Sequence, residues 1–211
     1  MTCAICHTRR PKRFCPGIGS DICPICCGTE REVTVTCPFD CEFLLESRKH
    51  DKGPPLDPDT LPNRDVRIPD SFLRDHEELM AFLGASVGHA ALATPGAVDL
   101  DARRAMEALI RTYQTLQSGV YYETIPEDAV AANLYRMVQH DIGEFRQAEQ
   151  QRFGTSRTRD GDILKMLIFL QRFELTTNNG RKRGRAFLQA LHGFYGDAVS
   201  EPSAPSSLIL P

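Results

Sequence analysis

With 211 residues, 41% of them hydrophobic, the chain is long enough for one small module plus one ordinary domain. Its formal net charge of −3 argues against a bulk nucleic-acid binder. No run of 18 apolar residues exists, so no membrane-spanning helix is expected, and Met1-Thr-Cys-Ala opens without an apolar signal segment, which predicts a cytoplasmic protein.

The cysteines come first in chain order. All eight fall within the first 41 residues: Cys3, Cys6, Cys15, Cys23, Cys26, Cys27, Cys37 and Cys41. A segment that short buries too little to hold itself together and needs disulfides or metal. Cys3-Ala-Ile-Cys6 and Cys23-Pro-Ile-Cys26 are knuckles in which two thiolates leave one tight turn, and Cys37-Pro-Phe-Asp-Cys41 supplies a third pair. Eight thiolates make two four-thiolate zinc sites with none over, so two structural Zn²⁺ ions are expected. An iron–sulfur or redox-sensing centre is the alternative, kept open by the adjacent Cys26-Cys27. Glu32-Val-Thr-Val-Thr36 alternates like a strand, and Glu42 to His50 reads as a short amphipathic helix with Cys37 and Cys41 at its start.

Two divisions of the ligands are open. Knuckle, strand and helix in that order resemble a treble clef, which implies that Cys23, one of Cys26 or Cys27, Cys37 and Cys41 share an ion. Alternatively Cys3 and Cys6 join Cys23 and Cys26, while Cys15 and Cys27 join Cys37 and Cys41. That interleaving resembles HIT-type, RING-like and MYND-like fingers, over about the first 50 residues only and without a His-x-Cys pair. The same cysteine pattern is similar to the start of uncharacterised bacterial proteins, which implies no function. His7 and His50 read as solvated histidines rather than ligands.

Residues 1–50 thus form a binuclear zinc module, and 51–67, rich in Pro and Asp, read as an extended linker. Residues 68–197 predict a bundle of about five helices, so the fold class is mainly α with a small β-hairpin in the cysteine module. The first helix begins at Pro69-Asp70-Ser71 and stops at Pro95-Gly96. The second is capped by Asp99 and stopped by Ser118-Gly119. A connection, with Tyr121-Tyr122 as an apolar plug, leads to a third starting near Pro126. The fourth, Ile163 to Leu170, is apolar nearly all round and belongs mid-bundle. The fifth spans Arg181 to Tyr195, with Ala190 and Phe194 facing inward. A tail at 198–211 is predicted to be flexible.

Two basic clusters are candidate contacts for an anionic partner: Arg9, Arg10, Lys12 and Arg13 in the first finger loop, and Arg181, Lys182, Arg183 and Arg185 at a helix start. Arg152, Arg157, Arg159 and Arg172 are placed on the same side as the second. The module itself carries seven Lys/Arg against six Asp/Glu, and eight thiolates with two zinc ions bring it near −3, so the loop cations balance sulfur charge. Catalytic patterns are absent: no Walker loop, no nucleophile elbow, no open three-ligand zinc. His140 pairs with Glu144 at i+4 on a wet face, and His89 and His192 read as structural. The expected function is a non-enzymatic zinc-binding adaptor that docks on another protein; the alternative is a nucleic-acid-associated regulator using residues 181–185 and 9–13.

Overall fold

The computed structural model describes residues 2–51, 53, 57, 59 and 61–196. Residues 52, 54–56, 58 and 60 of the expected linker, residue 197 at the expected end of the bundle and the expected tail at 198–211 lie outside the described residues. The elements are β1 (Arg13–Cys15), β2 (Ser20–Ile22), α1 (Pro24–Glu30), α2 (Glu42–Arg48), α3 (Asp70–Asp75), α4 (Glu77–Ala93), α5 (Asp99–Gln117), α6 (Ala129–Phe153), α7 (Asp160–Thr177) and α8 (Ala186–Tyr195). No helix among the described residues is long and apolar enough to cross a membrane.

The hairpin pairs β1 with β2 antiparallel, with Arg13 opposite Ile22 and Cys15 opposite Ser20. Gly19, at φ +65°, makes the turn that glycine makes most cheaply. Behind the hairpin the cysteines pack on Ile22, Val35 and Leu44 as a separate small core.

The alternating run 32–36 is not a strand. The amides of Val33, Thr34 and Val35 all converge on the Glu30 carbonyl, and Glu32 adopts a left-handed φ of +53°. The run is a tight loop because the Glu32 side chain turns inward, where β-branching at its neighbours has no sheet partner to meet.

The main core lies among α4 to α8, with α7 packed on α5, α4 and α8. Ile163, Met166, Leu167 and Ile168 are fully buried, as their all-round apolar pattern requires. The first predicted helix is split in two at His76, whose imidazole lies 2.9 Å from the Phe72 carbonyl, the i−4 acceptor that its own backbone amide would otherwise use. Helix α6 is capped by Asp128, whose carboxylate accepts from the amides of Val130 and Ala131, and is stopped by left-handed Gly154.

The last helix starts at Ala186 rather than Arg181. Its cap comes from a distant element: Asp99 on α5 accepts from the amides of Phe187 and Leu188, both at 3.1 Å. Phe194, expected inside, is 70% exposed, and Ala190 is only half-buried. Tyr121 and Tyr122 are exposed as well, so the α5–α6 connection is tied by Thr115 Oγ1 to the Tyr122 carbonyl instead of plugged by their rings.

Candidate metal centre

The first knuckle is laid against the hairpin by the backbone bond from Ala4 N to Asp21 O, and Lys12 N to Ile22 O extends the hairpin by one residue. This places Cys3 and Cys6 beside Cys23, the residue that follows β2. Cys23 is also the N-cap of α1, with its Sγ accepting from Cys26 N at 3.4 Å and Pro24 in the first turn. Cys26 comes off the helix on the same side. The sulfurs of Cys3, Cys6, Cys23 and Cys26 all lie within 4.8 Å of one another. Tetrahedral zinc at a Zn–S length of about 2.3 Å sets its sulfurs roughly 3.8 Å apart, so a small contraction completes the shell. Three of the four are buried and none is in a disulfide. The donor set is soft, convergent and of the right number, and it fits a four-thiolate metal ion.

The electrostatics point the same way. The Thr8 hydroxyl and the backbone amides at Thr8 and Arg9 hold Cys6 down to about 5, whereas burial pushes Cys26 up to about 12. One thiol therefore releases its proton freely, and another releases it only when a cation compensates the buried charge. The Cys23 Nα–H donates to Cys3 Sγ at 3.2 Å, and the Arg9 side chain hydrogen-bonds Cys23.

This first group is the one the interleaved arrangement implies; Cys37 and Cys41 do not share it, as a treble clef would have them do. Adjacent residues on a helix point about 100° apart, so Cys27 faces away from Cys26's site. Cys15, Cys26, Cys27, Cys37 and Cys41 all line one cavity of about 20 Å³, room for roughly one water-sized sphere. Cys41 caps α2, while Cys37 lies ahead of the helix and outside its first turn. Among the described residues, the 4.8 Å spacing is met by the first group alone. Two guanidiniums, Arg13 and Arg31, each donate to Cys27 Sγ at 3.7 Å, and Arg13 also covers the Phe43 ring.

The basic clusters fall in different surroundings. Arg9, Arg10 and Lys12 are exposed, with Arg9 turned to sulfur as above. The second cluster is not a helix start but a turn pressed onto the cysteine module. Arg181 Nη1 donates to the Arg31 carbonyl at 2.6 Å, Arg183 N to the Glu32 carbonyl at 2.8 Å, and Arg183 Nη1 to Thr36 Oγ1 at 2.9 Å. Arg185 stacks over Phe39 at 4.2 Å. Lys182 is exposed. Arg172 clamps the carbonyls of Asn63 and Val66, and Arg157 lies over Phe153.

The residue that sequence reasoning missed is Glu32. It is 1% exposed, and its carboxylate accepts from Arg48 Nη2 at 2.6 Å, Asn179 Nδ2 at 2.7 Å and Arg185 N at 3.0 Å. Gln189 adds a bond to the Phe39 carbonyl, and His192 stacks on that ring. The expected tethered head is thus in direct contact with the bundle. The left-handed, inward Glu32 is the one buried carboxylate in that contact, and no local pattern signals it. His140 Nε2 lies 3.5 Å from Glu144, both exposed, as the i+4 spacing implies.

No protein-family model, no curated protein and no solved structure matches this chain.

Proposed function

We propose that this protein is a non-enzymatic zinc-dependent adaptor, with two structural Zn²⁺ ions held by Cys3, Cys6, Cys23 and Cys26 and by Cys15, Cys27, Cys37 and Cys41. The convergence of the first four sulfurs carries the reading. A shell closed by four thiolates leaves no position for water or substrate, so the ions serve folding rather than catalysis. Each contributes on the order of 10 kcal/mol, which a core of a few aliphatic side chains lacks. For the second ion, the shared cavity of Cys15, Cys27, Cys37 and Cys41 is the supporting observation. Phe14, Ile18, Ile25 and Leu45 are exposed on the module, and apolar side chains left in water suit recognition of another protein.

Elemental mass spectrometry of the reduced protein, read with its visible spectrum, tests this. Two equivalents of zinc and no colour are expected. Iron with brown absorption would replace the adaptor with an electron-transfer or redox-sensing protein.

A further inference from the structure

The contacts between the cysteine module and the bundle have an unusual composition. On the bundle side stands one turn, Arg181-Lys182-Arg183-Gly184-Arg185, with four cations in five residues. On the module side stands a buried carboxylate, Glu32, with the carbonyls of Arg31 and Glu32 and the Thr36 hydroxyl. These acceptors take up Arg181, Arg183 and the backbone of Arg185, and Phe39 covers the Arg185 guanidinium. Among the described residues Lys182 alone in this segment has no polar partner. A surface turn that dense in cations, closed by carbonyls and one carboxylate, is matched to anionic oxygen.

We propose that Arg181–Arg185 is a latent binding site for a nucleic-acid backbone, masked by the cysteine module while the module holds its metal. The masking residues, Arg31 to Thr36, lie between α1, which carries Cys26 and Cys27, and the pair Cys37 and Cys41. They form no helix or strand; the loop is anchored at both ends by candidate ligands. Glu32 is held left-handed, a conformation that costs a non-glycine residue on the order of 1 kcal/mol and persists only while its surroundings impose it. Loss of the metal removes what holds those ends. The bundle keeps its own core, and the basic turn remains attached to it with its acceptors gone. The inference rests on the metal reading above and goes beyond it by assigning a ligand class and a switch.

The test uses the full-length protein and a fluorescent single-stranded oligonucleotide, titrated before and after chelation under reducing conditions, with zinc measured on each sample. Stripped protein is expected to bind at least tenfold tighter than loaded protein. Neutralising the turn as Arg181→Gln, Lys182→Gln, Arg183→Gln and Arg185→Gln should remove that gain. It should also flatten the log-affinity against log-salt slope of stripped protein by about 3, at about 0.7 per phosphate contact.

Chelation also frees Arg9, Arg10, Lys12 and Arg13, so a second route keeps the metal in place. Glu32→Ala removes the acceptor of Arg48, Asn179 and Arg185, and Phe39→Ala removes the ring under Arg185. Either variant, still loaded with zinc and with native helicity, is expected to gain affinity. No gain in loaded variants that keep zinc, or a gain in stripped protein that survives neutralisation of the turn, overturns the proposal. Protein that contains no zinc as purified overturns it through the metal reading, and the zinc assay tells that failure from the others.

Discussion

Asp99, in the first turn of α5, accepts the backbone amide of Leu188 at 3.1 Å and so caps a helix 89 residues further along the chain. The same carboxylate takes the amide of Phe187, while the Asp99 amide returns a bond to the Gly184 carbonyl at 2.9 Å. Two helix starts are locked together around one buried acid. Burial pushes Asp99 up to about 7 despite these two donors, with Glu174 and Glu32 adding like charge.

A raised acid binds its proton more tightly folded than unfolded. Its contribution is therefore fully present below about pH 4 and is lost as pH rises through about 7. Asp99→Asn does not titrate. The difference in urea stability between Asp99→Asn and the parent should shift in the variant's favour from pH 4 to pH 8. A flat or opposite trend would defeat the assignment. Asp99→Ala, by opening both amides, should cost about 1–2 kcal/mol near pH 5.

Arg103 reaches Glu174, which is completely buried, through Nε at 2.7 Å and Nη2 at 3.0 Å. Arg103→Ala removes the cation from that buried carboxylate and leaves it Asn178 Nδ2 as a neutral donor, and should cost about 3–5 kcal/mol in denaturant midpoint analysis. Arg103→Lys should recover only part of it, because an ammonium lacks the planar fork. Full rescue by lysine would mean that charge, rather than bidentate geometry, matters here.

Gly17 lies where the hairpin loop meets residues 35 and 36; a Cβ there would stand 2.6 Å from Thr36 O and 2.8 Å from Val35 Cγ1. Gly17→Ala should destabilise the module by about 1–3 kcal/mol and lower its zinc affinity while leaving the bundle's helicity intact. Zinc titration with a competing chelator reads the first effect and circular dichroism the second.

Chelation of the parent protein should abolish hydrogen-exchange protection over residues 2–51 and spare α4 to α7. The small core of cysteines with Ile22, Val35 and Leu44 has nothing to replace the metal, whereas the larger core needs none. Persistent protection at Ile22 and Leu44 in metal-free protein would show that the module folds unaided.

Local chemistry was readable wherever the signal is local. Two CxxC knuckles, the apolar faces of α5, α6 and α7, and the His140–Glu144 spacing each depend on residues a few positions apart, and each took its expected form. The β-branched run 32–36 failed because strand propensity needs a partner strand, and Glu32 found a buried set of donors instead. The basic turn failed likewise: a cap supplied by Asp99 let α8 start at Ala186, leaving Arg181 to Arg185 outside it.

What the sequence alone determined is that eight thiolates crowd one end of a helical chain, since spacing dictates which sulfurs leave the same turn. Tertiary structure decided which of them converge and what the basic turn faces. The first follows from the hairpin that brings Cys3 and Cys6 to the start of α1, the second from a single buried carboxylate, Glu32, meeting Arg48, Asn179 and Arg185, and the last two lie some 150 residues away. Contacts at that separation follow from the packing of whole elements, which no local pattern encodes.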